Sequence, residues 1–143
     1  MKNFLRSVCF GMVGFGVMGG VAVAQTLDKA QVFPFDQMPV SKMANGGESR
    51  SIVQGVLAGG EVVRLHESVQ PVGAVPNAAH VIQHTEFIVV STGTVDFLHD
   101  GKAERVGAGG VILVTPGTMH ALKNVGDVPA RYVIVAIGGD TKK

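Results

Sequence analysis

The residues best suited to chemistry lie in "NAAHVIQHTEFIVVSTG", residues 77–93, where His80, His84 and Glu86 fall at alternate positions together with Ile82. In an unbroken strand these four side chains line one face. Imidazole nitrogen and carboxylate oxygen offered from one wall suit a divalent transition metal, whose lost hydration they replace. The same residues also fit a wetted strand face that binds nothing. A second segment, "GGVILVTPGTMHALKN" at 109–124, places His120 just after a Thr-Pro-Gly turn and before another apolar run. An antiparallel barrel can bring that histidine against the first cluster. His99 abuts the Asp100-Gly101 turn and reads as a solvated surface residue. His66, in "VVRLHES", shares a strand face with Val62, Arg64 and Ser68 and reads as structural, or as a group supporting a ligand site from behind.

The elements that must position these residues are short. From Ser51 onward the chain runs through "SIVQGVL", "EVVRLHESV", "HVIQH", "EFIVVS", "TVDFLH", "KAERV", "GVILVT", "HALKN" and "RYVIVAIG", rich in Val, Ile and Phe and too short for helices. Gly-Gly at 59–60 and Asp-Gly at 100–101 separate them where a hairpin needs positive φ, and "GAGG" at 107–110 makes another tight corner. The fold class is all-β, a sandwich or barrel of antiparallel strands. Upstream, "KAQVFPFDQMPVS" carries Val32, Phe33, Phe35 and Met38 around two prolines, which exclude a central strand and leave an edge strand or an extended apolar arm. "KMANGGESRS" at 42–51 reads as a loop joining that arm to the body.

A chain of 143 residues suits one domain. Its start has Lys2 and Arg6, an uncharged apolar stretch and an A-x-A ending at Ala22 and Ala24, the layout of a secretory signal peptide cleaved after Ala24. The expected organisation is a leader at 1–24, an N-terminal arm and loop at 25–50, and a barrel at 51–143. Cleavage removes Cys9, the single cysteine, and with it disulfide and thiol chemistry. It also removes Lys2 and Arg6, so 10 of the 12 basic residues remain against 11 acidic ones. No basic patch or Lys/Arg run points to nucleic acid. A nearly neutral periplasmic or secreted protein, free of the membrane once its leader is cut and acting on a small molecule, is the expectation.

The two histidine segments resemble the paired motifs of the cupin superfamily. The first family motif reads G-x5-H-x-H-x3/4-E-x6-G, onto which His80, Glu86 and Gly93 fall. The second reads G-x5-P-x-G-x2-H-x3-N, onto which Gly109, Gly117, His120 and Asn124 fall, 15 residues separating Gly93 from Gly109. The resemblance covers roughly residues 51–138 and implies a cupin-type double-stranded β-helix, or jelly-roll barrel, with the site in its lumen. Three departures stand out: Ile82 replaces the second metal-binding His, Thr115 stands where the family has proline with Pro116 one position later, and Gly73 lies one residue too far from His80.

The family's usual shell is three His and one Glu around Fe, Mn, Ni or Zn. Without a ligand at 82, His80, Glu86 and His120 form a two-histidine, one-carboxylate set of the kind that holds non-haem Fe(II). His84, familiar in place from an H-x-H-x-H-E-E version of the motif, is a reserve fourth ligand. The alternative is that no metal binds and Ile82 fills the space, leaving a polar cluster at the end of an apolar lumen. The resemblance therefore implies either a metal-dependent enzyme acting on a small organic molecule, with dioxygenase-type oxidation first, or a metal-poor periplasmic barrel that binds a small ligand or acts as an isomerase. Cupins of this size commonly pair by lending an N-terminal strand, so a homodimer using the "VFPFDQMPV" arm is expected.

Overall fold

A computed structural model of the protein describes residues 25–139. The expected signal peptide at 1–24 lies outside the described residues. Eleven strands run in chain order as β1 (Gln25–Leu27), β2 (Val40–Lys42), β3 (Glu48–Leu57), β4 (Val62–Gln70), β5 (His80–Val81), β6 (Thr85–Thr92), β7 (Thr94–His99), β8 (Lys102–Gly107), β9 (Val111–Val114), β10 (Met119–Asn124) and β11 (Ala130–Ile137). One sheet has the order β1-β3-β4-β11-β6-β9 with β2 also on β3; the other runs β5-β10-β7-β8. Together they form the double-stranded β-helix, all-β as the alternation of the sequence requires.

The sheets close on a core of Ile82, Ile88, Val90, Val95, Phe97, Ile112, Val114, Leu122, Tyr132 and Ile134. Strand alternation supplies it directly: Ile88 and Val90 point in from β6, Val95 and Phe97 from β7, Ile112 and Val114 from β9. The β6–β7 corner needs glycine, because Gly93 has φ +77° and a Cβ there would lie 2.9 Å from the Ala130 Cα.

Two polar links fix the sheets against each other. Gln70 of β4 and Asn124 of β10 form a buried clasp. The Gln70 side-chain amide donates to the Leu122 carbonyl at 3.0 Å, the Asn124 backbone N–H donates to Gln70 Oε1 at 2.9 Å, and the Asn124 side-chain amide donates to the Gln70 and Val128 carbonyls at 3.0 and 2.9 Å. Every buried polar group of the pair thus has a partner, as burial demands. At the other end, the Gly117 N–H donates to the Ile82 carbonyl at 2.8 Å, tying the Thr-Pro-Gly turn to the first histidine segment.

Two expectations need correction. Residues 80–86 are not one strand: pairing stops after Val81 and resumes at Thr85 in the other sheet. The cause is Ile82, which is 6% exposed and turns inward to the core, taking the backbone out of β5's ladder with β10. The stretch 42–51 is not a loop throughout, since β2 and β3 pair through Lys42↔Glu48 and Val40↔Arg50, leaving only 43–47 as the connection. Cross-strand ion pairs of Glu48 with Lys42 and of Arg50 with Glu67 hold these polar residues in register. Ahead of the arm, β1 is an edge strand of the same sheet, running parallel to β3 with Thr26 opposite Val56, and the arm itself runs without strand pairing until β2. Its Phe35 ring lies under the Arg50 guanidinium, 4.4 Å from the ring centroid.

Tyr132, the only tyrosine of a chain without tryptophan, reports on this interior. Burial raises its phenol to about 12, against the opposing hydrogen bonds of Gln70 and Ser68. A folded pKa above the unfolded value of about 10 contributes stability that is complete below pH 10 and lost as pH rises towards 12. Ultraviolet titration of the folded protein should therefore place the tyrosinate midpoint near 12; a midpoint at 10 with the fold intact would contradict the packing.

Candidate functional site

The switch between sheets is what builds the site. His80 on β5 and His120 on β10 belong to the smaller sheet and pair directly across their ladder. Glu86 on β6 belongs to the larger one, so it faces the two histidines across the lumen instead of sharing a wall with His80. The His80 and His120 ring centroids lie 4.6 Å apart, and the Phe97 ring backs His120 at 5.9 Å. His120 and Glu86 are buried, at 3% and 6% exposed, while His80 stands open at the edge strand.

Both histidines are held the same way. His80 Nδ1 faces the Ala78 carbonyl at 3.4 Å and His120 Nδ1 faces the Thr118 carbonyl at 3.2 Å. A carbonyl only accepts, so each Nδ1 carries a proton and each Nε2 is the nitrogen left over for the cavity. Glu86 Oε1 accepts from His84 Nε2 at 2.8 Å, and its Oε2 faces His120 Nε2 at 3.9 Å. The His84 pair satisfies half of the buried carboxylate. The other oxygen and His120 Nε2 have no hydrogen-bond partner in the protein but open onto the cavity, where a cation, a water or a second proton on His120 can stand between them.

The donor set therefore fits a transition metal ion chemically. Oxygen and nitrogen donors bonded at about 2.0–2.2 Å to a common ion stand roughly 3 to 4 Å from each other. As the side chains lie, no group of three or more His, Cys, Asp or Glu among the described residues is arranged to hold a metal ion. His84 stands behind Glu86, against Gly139, and orients the carboxylate. Ile82 lies in the core and is absent from the cavity wall.

The cavity these residues open into has a volume of about 240 Å³. Its polar wall comes from β4, with His66 and Ser68 inside and Arg64 exposed at the rim, and its apolar part from Ile88, Leu122 and Ile134. Burial lowers the pKa of His66, as does the Arg64 cation, against the pull of Glu86. It is therefore a neutral imidazole at neutral pH. Arg64 and Tyr132 were not singled out by sequence reasoning as site residues. In "VVRLHESVQ" the strict alternation of Arg64, His66, Ser68 and Gln70 with apolar neighbours was the available signal, but polar residues ordinarily face solvent and here they face the lumen. His99 is likewise not a freely solvated residue, since it stacks on Phe97 with centroids 4.4 Å apart and pairs opposite His120 in the ladder.

Comparison with known proteins agrees with this fold. A family model described as "Cupin domain" matches residues 65–136. No curated protein matches the chain. Among solved structures, the fold is similar to an RmlC-like cupin from Shewanella frigidimarina (TM-score 0.63, 17% identity, covering 78% of this chain and 95% of that one). It is similar too to a predicted oxalate decarboxylase from Thermotoga maritima (TM-score 0.60, 18% identity, 75% and 98%) and to KdgF from Halomonas sp. (TM-score 0.63, 14% identity, 76% and 94%). At these identities the likeness concerns the fold. With the family match extending over half its length and both histidine segments inside it, this chain belongs to the cupin family.

Proposed function

We propose that the protein is a metal-dependent enzyme acting on a small organic molecule inside the barrel, with dioxygenase-type oxidation as the leading reaction. The observation that carries this reading is the approach of His120 Nε2 to the Glu86 carboxylate, 3.9 Å away across the cavity, with Nδ1 of the same ring committed to the Thr118 carbonyl. His80, Glu86 and His120 would hold an Fe, Mn, Ni or Zn ion, with His84 in reserve. Such an ion supplies Lewis acidity or oxygen activation when bound. His84 keeps the carboxylate oriented, and neutral His66 on the opposite wall can accept or return a proton at its free ring nitrogen. Ile88, Leu122 and Ile134 exclude water from the ligand's apolar part.

A second reading is favoured by Ile82. It occupies the family's middle ligand position and is built into the core, so the shell has at most three of its usual members. A metal-free barrel that binds a small ligand, or acts as an isomerase, would then rely on a protonated His120 to neutralise Glu86. Metal analysis of untagged protein separates the two. The enzyme reading expects about one transition metal ion per chain and a loss of tenfold or more in His120→Ala. Negligible metal in both proteins rejects it and leaves the binding barrel.

The expected location, periplasmic or secreted, rests on the leader and is kept as part of this proposal. So is the homodimer. The outward face of the larger sheet carries Leu113, Phe87, Val135 and Leu65 in one cross-strand row, with Leu113 53% and Phe87 40% exposed. Contiguous exposed apolar surface of this kind marks contact with another protein. Since β1 pairs with β3 of its own chain, exchange of the arm would keep the same ladder while linking two copies. Sedimentation at micromolar concentration should give a dimer, and Leu113→Glu together with Phe87→Glu should give a monomer; a monomeric parent protein would remove the proposal.

A further inference from the structure

His80 stands on the least supported strand of the site. β5 pairs only through His80 and Val81, and only with β10, so its other edge is free. The chain reaches it through residues 71–79, which form no strand pairing. Those residues bury little that would hold them: Val72 and Val75 are exposed, and Pro71 and Pro76 have no backbone N–H to donate. Ala74 bonds locally to the Pro71 carbonyl, and the Ala78 carbonyl faces the His80 ring. Among the described residues, every other hydrogen bond of 71–79 goes to one place, the turn at 43–47 that joins β2 to β3.

Asn45 in that turn is the link. Its side-chain NH2 donates to the Val75 carbonyl at 2.9 Å and to Asn77 Oδ1 at 3.3 Å, while its Oδ1 accepts from the Gly47 backbone N–H at 3.0 Å. A carbonyl on one side and an N–H on the other fix which end of the amide is which. The turn is a firm base for it. Met43 N–H donates to the Gly47 carbonyl at 2.9 Å and Gly46 N–H to the Met43 carbonyl at 3.0 Å. Gly47 is buried, and a Cβ there would lie 2.6 Å from the Val69 carbonyl oxygen of β4. Met43 and Asn77 line the cavity together with Ala78 and His80, so the tethered segment is part of the cavity wall.

We infer that Asn45 is a positioning residue for His80. It does not line the cavity itself and acts through the backbone that it tethers. With 75–77 held on the turn, the Ala78 carbonyl is in place to accept from His80 Nδ1 at 3.4 Å, and the ring is set beside His120 with centroids 4.6 Å apart. The job needs a donor and an acceptor on one short side chain. A carboxylate at 45 would satisfy Gly47 but set an acceptor against the Val75 carbonyl, and a serine hydroxyl is shorter. The consequence for metal binding rests on the enzyme reading above; the placing of His80 does not.

The test compares the parent with Asn45→Asp and Asn45→Ser, both of which keep an oxygen for the Gly47 N–H, with circular dichroism confirming the fold; either variant alone suffices. In EDTA-treated protein, the NMR signals of the His80 ring nitrogens should shift in the variant while those of His66 stay. Amide exchange at His80 and Val81 should quicken about fivefold, the effect of one lost hydrogen bond, with β6 and β11 unaltered. Where the parent takes up added zinc ion, the variant should bind it about tenfold more weakly, as expected for loss of a group that supports a ligand from behind. A parent that binds no zinc removes the enzyme reading and leaves the His80 signals and β5 exchange to judge the inference. Unshifted His80 signals, exchange at β5 left unchanged or quickened equally across β6 and β11, or undiminished zinc affinity in a variant of a zinc-binding parent overturns it.

Discussion

The site depends on one constraint, the transfer of the chain from the smaller to the larger sheet between Val81 and Thr85. Ile82 makes the transfer by entering the core, and the Gly117 N–H on its carbonyl pins the crossing to the turn that precedes His120. Had 80–86 continued as one strand, His80, His84 and Glu86 would form a row on one wall, with His120 opposite an extended face. Because the chain crosses, Glu86 faces His120 across the gap in a cavity that His80 also lines, and His84 is left behind the carboxylate as its hydrogen-bond donor. The Gln70–Asn124 clasp then fixes the spacing of the sheets from the other end of the barrel.

That arrangement sets the electrostatics. Of the two Glu86 oxygens, only Oε1 has a hydrogen-bond partner in the protein, His84, while Oε2 opens onto the cavity facing His120. The backbone carbonyls of Ala78 and Thr118 each accept a hydrogen bond from an Nδ1–H, which turns the Nε2 edge of both rings towards the lumen. The pocket thereby presents imidazole and carboxylate together at the Glu86 side, with Arg64 exposed at its rim. A neutral overall composition thus conceals a polar patch inside the barrel.

Much of this was legible in the sequence. Short β-branched runs separated by Gly-Gly and Asp-Gly turns gave the strands, and the motif spacing brought His80, Glu86, His120 and Asn124 together with a fold to hold them. Period-2 parity failed at residues 82–84, because an apolar residue between polar ones was read as sharing their strand face when it serves the core. It failed again at β4, where the alternation of Arg64, His66, Ser68 and Gln70 is the same whether polar side chains face solvent or a lumen. Which face is inside depends on sheet closure, a long-range property. The paired Gln70 and Asn124 illustrate this, being 54 positions apart in the chain. The extent of the N-terminal loop was misjudged for a related reason, since β2 and the start of β3 are held by cross-strand ion pairs and carry few apolar residues.

The most direct measurement is an anomalous-difference map from crystals grown without added metal, collected above and below the absorption edges of Mn, Fe, Ni and Zn. The account predicts a single peak bounded by Nε2 of His80, Nε2 of His120 and the Glu86 carboxylate, with the ion's identity given by the edge at which it appears. Clear density for these three side chains turned to solvent or lying far apart, or an ion held elsewhere in the molecule, would contradict it.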